Sequence, residues 1–139
     1  MNLQHIINHP DITPASGLYS QGVKVVGNGL VFVSGQTALD NTGNLVGEDD
    51  VAAQTRQVFE NIGKVLSISG SDFRMVVEFT IYLVGEDSVA DFIQTRKEIF
   101  KTIYPDEKYP CSTLVNVMSL GGSKALVEIS ATAALKLPE

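Results

Sequence analysis

The chain has 139 residues, 44% of them apolar, which suits a single domain over 1–139 with one core and a modest buried interface. Sixteen acidic against ten basic residues give a formal net charge of -6, so most of the surface repels polyanions and a nucleic-acid partner is disfavoured. One cysteine rules out an intrachain disulfide, two separated histidines make no metal cluster, and no stretch approaches the roughly 20 apolar residues of a membrane span. The expectation is a soluble, cytoplasmic protein with neither metal nor membrane partner.

Residues 1–18 read as a short lead strand and a loop through Pro10, Pro14 and Gly17. Gln21 to Val26 alternates in part, Gly27-Asn28-Gly29 supplies a turn, and Leu30 to Ser34 is short, apolar and β-branched, so the two runs are expected to pair as a hairpin. The second run ends in Ser34-Gly35-Gln36, where glycine permits a tight path and two polar side chains stand at a strand end. After the turn cluster Asp40–Asn44, Asp49 or Asp50 is placed to cap a helix whose apolar stripe runs through Val51, Thr55, Val58, Ile62 and Val65-Leu66. Gly70 ends it.

Arg74 to Val84 has the β-branched and aromatic content of a central strand. Val89 to Ile103 then forms a second helix, with Phe92, Arg96, Ile99 and Phe100 among its larger contacts. Beyond Pro105 and Pro110, Thr113–Met118 and Ala125–Ala133 supply two last strands separated by Gly121-Gly122-Ser123. The order βββ, α, β, α, ββ describes an α+β domain with a sheet carrying two helices on one side. Its other face needs a partner, and either a dimer or a trimer would supply one.

Several residues invite chemistry. Glu128 interrupts an apolar strand and is the candidate for proton exchange with water, against a hydrogen-bonded interface role. Tyr19 offers an aromatic wall and a hydroxyl, or anchors a loop. Ser34 and Gln36 offer hydrogen bonds to substrate or to their own strand end. Cys111 and Ser112 have no histidine beside them, so neither reads as a covalent nucleophile. Arg56 lies off the apolar stripe and reads as structural or surface-facing.

Four fragments carry a likeness beyond these local signals: Gly17–Gly22, Val33–Gln36, Ala53–Ile62 and Leu126–Ala133. In their order and spacing the chain resembles the reactive intermediate deaminase family, also called Rid or YjgF-like. The resemblance implies a chorismate-mutase-like α+β fold, a homotrimer with pockets between subunits, and cofactor-free hydrolysis of a small enamine or imine to a 2-keto acid and ammonia. Taken with the residue readings above, it places Glu128 and Tyr19 in catalysis, and Ser34, Gln36, Cys111, Ser112 and Arg96 in substrate binding. Pro110-Cys111-Ser112-Thr113 departs from the family's Pro-Ala-Arg-Ser/Thr, so serine stands where relatives grip a carboxylate with arginine. A serine hydroxyl cannot replace a charged fork, which implies an altered substrate preference or a noncatalytic binding or scaffolding trimer. Ile93 and Arg96 also depart from the family's asparagine and tyrosine, and Arg96 is placed either to restore the charge or to sit in an intersubunit salt bridge or solvent. The family has also been associated with RNA cleavage, a reading the acidic balance does not favour.

Overall fold

A computed structural model describes residues 3–27 and 29–137, with side chains from His5 onward. The elements are β1 (Leu3–Ile7), β2 (Gly22–Val26), β3 (Leu30–Gln36), α1 (Val51–Ile68), a 3-10 turn (Phe73–Met75), β4 (Val76–Val84), α2 (Ser88–Ile103), β5 (Cys111–Val117) and β6 (Val127–Ala134). A four-stranded mixed sheet has the order β3-β6-β4-β5, antiparallel except where α2 crosses over between parallel β4 and β5. The N-terminal strands β1 and β2 form a separate antiparallel pair.

That pairing corrects the expected hairpin between β2 and β3. Just before β2, the Ser20 backbone N–H donates to the Pro110 carbonyl at 3.0 Å and its hydroxyl donates to the Tyr109 carbonyl. β2 is thereby held beside the start of β5, while β3 belongs to β6, from Leu30 opposite Ala134 to Gln36 opposite Ile129. Gly27 and Gly29 flank a crossing rather than a hairpin turn, and Asn28 lies outside the described residues. At Gly29 a Cβ would fall 2.7 Å from a Leu135 methyl carbon, so the close approach of the C-terminal segment needs glycine.

Helix α1 is closed at both ends by local chemistry. Asp50, in extended conformation, accepts from the Ala53 N–H at 3.0 Å. At the other end Gly70 has φ +77, and the Ser71 N–H returns to the Leu66 carbonyl at 2.9 Å, a Schellman stop. The buried stripe holds Val51, Gln54, Thr55, Val58, Phe59, Ile62 and Leu66, so Gln54 and Phe59 join the expected set.

Both helices cover one face of the sheet. Phe79, Ile81 and Leu83 of β4 alternate with half-buried neighbours, as do Val127, Ile129 and Ala131 of β6, and these buried positions meet Val58, Phe59, Ile62, Phe92 and Phe100 from the helices. Phe59 stands edge-on to both Phe79 and Phe100. Each such ring removed from water stabilises the fold by about 1.5–3 kcal/mol. The opposite face carries Glu78, Thr80, Tyr82, Glu128, Ser130 and Thr132 beside the exposed Leu30, Phe32 and Val115, with Phe32 75% exposed. Among the described residues no helix is long and apolar enough to cross a membrane.

Candidate functional site

The polar residues expected to act together are sorted by the sheet onto two faces. On the open face, β3 carries an irregularity: Val33 pairs with Ala131 and Gln36 with Ile129, so Ser34 and Gly35 together stand opposite Ser130. An extra residue on one strand bends it and re-aims its neighbours. Gly35 consequently lies over the Glu128 side chain, where a Cβ would come 2.5 Å from Oε2. Glu128 is half-buried and sits beside Tyr82 of β4.

The start of this strand is set from α1. Gln54 is fully buried; its Oε1 accepts from the Leu126 N–H at 2.8 Å and its Nε2 donates to the Gly47 carbonyl at 2.9 Å. Glu128 follows two residues after Leu126, so a helix amide fixes the strand that carries the acid. The sequence contains the signal for this, since Gln54 falls at i-4 from Val58 on the buried stripe, and a polar residue there must find partners.

Behind the sheet, the loop before β2, helix α2 and strand β5 enclose a cavity of about 510 Å³ lined by Ser16, Gly17, Leu18, Tyr19, Ile93, Arg96, Lys97, Ser112 and Leu114. Ser112 faces this side because it is in register with buried Phe79. Arg96 is 6% exposed, its guanidinium lying 5.4 Å from the Phe92 ring centre and 5.8 Å from that of Phe100. Its Nε has no hydrogen-bond partner among the described residues, and none of the ion pairs there includes it. Burial pulls its pKa down from the usual guanidinium value. Arg96 thus occupies neither solvent nor a salt bridge within the protomer. The spacing Phe92, Arg96, Phe100 had marked it for the buried side of α2.

Tyr19, Arg96 and Ser112 are therefore brought together, and Ser34 and Glu128 form a second group with Gly35. Gln36 borders the second group. Its Nε2 donates to the Ser34 carbonyl at 3.1 Å, and with Gly35 it lines a cleft of about 400 Å³ that also takes in Thr37, Asp40, Asn61 and Lys64. Cys111 stands apart, because consecutive strand residues face opposite sides: it pairs with Glu78 while Ser112 pairs with Phe79. Burial, then the Glu78 carboxylate, raises its thiol pKa against the opposing Val23 N–H, so the thiolate is disfavoured. Arg56 is exposed and paired with Glu98. Lys97, which the sequence reading passed over, lines the cavity mouth.

This arrangement of strands and helices has close counterparts. The family model for Endoribonuclease L-PSP matches residues 10–135. The chain belongs to the Rid/YjgF-like family. It is 39% identical to protein DfrA of Myxococcus xanthus over 90% of this chain and 92% of that protein. It is 31% identical to the human 2-iminobutanoate/2-iminopropanoate deaminase, over 74% of each chain. Among solved structures, the Rid-family protein YyfB from Yersinia pestis superposes with a TM-score of 0.83 at 28% identity, covering 95% of this chain and 98% of its own. The mixed sheet with two helices is the Rid fold.

Proposed function

We propose that this protein is a metal-independent enamine/imine deaminase that works as a homotrimer, with Glu128 as its proton-transferring acid and Tyr19 and Ser34 as orienting groups. The observation that carries the reading is the seat of Glu128: a carboxylate laid over the bulged Ser34-Gly35 backbone, on a sheet face left open by both helices. Kinship with the human 2-iminobutanoate/2-iminopropanoate deaminase supplies the reaction class.

Because the sheet separates Glu128 from Tyr19, one protomer cannot close both around one small molecule. A neighbouring copy must bring its Ser34, Gly35 and Glu128 to the cavity lined by Tyr19, Arg96 and Ser112. The exposed Leu30 and Phe32 beside Glu128's face provide apolar area for that contact. Within the closed site, Glu128 takes a proton as water oxygen bonds to the imine carbon, and the imine nitrogen is protonated. Collapse of the resulting carbinolamine breaks the C–N bond, forms the carbonyl and releases ammonia. No electron transfer occurs, so no oxidant is required.

The test is ammonia release from imines generated freshly from amino acids, compared between the unmodified protein and Glu128→Gln. Turnover should fall by about 100- to 10,000-fold, the usual worth of a positioned acid or base. Equal rates for both proteins would overturn the reading, and metabolite binding without turnover in either would favour a noncatalytic binding trimer.

A further inference from the structure

Each side of the sheet holds one charge that the protomer itself leaves unmatched. On the covered side, Arg96 lies buried against Phe92 and Phe100, joins none of the ion pairs among the described residues, and lines a cavity that contains no carboxylate. On the open side two acids stand on the sheet, and they differ. Glu78 is exposed and accepts from the Thr132 hydroxyl at 3.2 Å, whereas Glu128 is half-buried beneath Gly35 and joins no ion pair among the described residues. A buried cation without a counterion is costly, and so is a carboxylate carried into a contact without one. The two half-sites are therefore complementary in charge, and one contact between copies satisfies both.

We infer that Arg96 is a positioning residue for the proton-transferring carboxylate: it pairs across the subunit boundary with Glu128 of a second copy and holds that side chain at the cavity. The inference rests on the deaminase reading for the seat of Glu128 beside Tyr19 and Ser112, and it adds what fixes the acid there. A guanidinium presents a planar fork that matches two carboxylate oxygens. Each of those oxygens keeps a second lone pair, so one remains free to accept the proton of the attacking water. Phe92 and Phe100 hold the guanidinium in place before the copies meet, which lowers the ordering cost of the contact. No acid in the lining competes for the fork, and Lys97, the other cation, is exposed to solvent. Ser112 is neutral, so the pair leaves the buried part of the cavity without net charge.

Four proteins test the pair: the unmodified chain, Arg96→Met, Glu128→Gln and the double variant, each followed by sedimentation for subunit dissociation and by ammonia release from freshly generated imines. Either single substitution leaves one unmatched charge inside the contact and should weaken association by about tenfold or more. The double variant removes both charges and should associate no more weakly than either single one. Turnover should fall about tenfold on Arg96→Met alone and no further when Arg96→Met is added to Glu128→Gln, because a positioning residue acts only through the group it holds. Arg96→Lys keeps the charge without the fork and should fall between. A Glu128→Gln protein that assembles as tightly as the unmodified one overturns the pair, as do single effects that multiply in the double variant, or an unmodified protein that stays monomeric. Should Arg96→Met fail to fold, Glu128→Gln alone and Arg96→Lys with and without it still decide. Coupled association with no turnover in any protein would sink the deaminase reading and uphold the pair; turnover lost in Glu128→Gln with uncoupled association would do the reverse.

Discussion

The two faces of the sheet handle charge in opposite ways. On the open face, Glu128 stands half-buried among hydroxyl groups and under a bulge, with side chains that solvent or another copy can reach. On the covered face, Arg96 sits against two phenyl rings in a cavity with no acid. One protomer therefore keeps its acid and its buried base apart by the thickness of the sheet, where they cannot neutralise each other. The lesson is that one protomer keeps two oppositely charged groups on opposite sides of a single sheet, so the proposed function requires a second copy to join them.

The comparison breaks most visibly at the acid, through the Glu128→Gln loss of turnover given above. A sharper probe of the open face is Gly35→Ala. The new methyl would meet the Glu128 side chain along its length, 2.5 Å from Oε2, 2.9 Å from Cδ and 3.1 Å from Cγ, so the carboxylate must turn away. Turnover should drop by about tenfold, because a misplaced acid loses geometry, while the melting temperature shifts by only a few degrees at most, on the order of 1 kcal/mol or less. A large loss of stability with full activity in the folded fraction would show that Glu128's position is not what Gly35 protects.

On the covered face, Ser112→Arg adds a second guanidinium to the cavity that holds Arg96. Like charges with little water between them destabilise each other, so the melting temperature should fall by a few degrees, on the order of 1 kcal/mol. An unchanged melting temperature would mean the cavity is wetter than its lining implies.

The smallest effect lies outside both half-sites. Burial opposes the charged form of Asp72, but the hydrogen bond and charge of Lys136, at 2.8 Å, and the Arg74 backbone N–H outweigh it and hold the carboxyl below its usual pKa. Asp72 thus contributes stability that is complete above the ordinary carboxylate range and disappears as pH falls through its folded value. Its ion pairs face solvent, so the contribution is a few tenths of a kcal/mol to about 1 kcal/mol. Asp72→Asn should flatten the acid side of a stability profile below about pH 4 and leave turnover near neutrality unaltered, as urea unfolding across pH would show.

Much of this architecture was legible from residue order. The stripe from Val51 to Leu66, the Asp50 cap and the Gly70 stop define α1 through local geometry alone, and the alternation in β4 and β6 separates a core side from a second side. The likeness in Gly17–Gly22, Val33–Gln36 and Leu126–Ala133 pointed to the Rid fold. The expected hairpin failed because β2 and β3 each had strand-forming residues and a glycine turn between them, yet Ser20 bonds to the segment ahead of β5 and draws β2 away. Such a long-range bond leaves no trace in local pattern.

By itself, then, the chain determined which residues form helices and strands and which side of each is apolar, because those properties follow from a 3.6- or two-residue period within one segment. Tertiary structure alone decided that Ser112 joins Arg96 and Tyr19 while Cys111 does not, that Gly35 covers Glu128, and that the acid and the buried base lie on opposite sides of a sheet. Periodicity reports the side a residue faces on its own element; the chemistry it meets there is supplied by segments distant in sequence, and only packing brings them into contact.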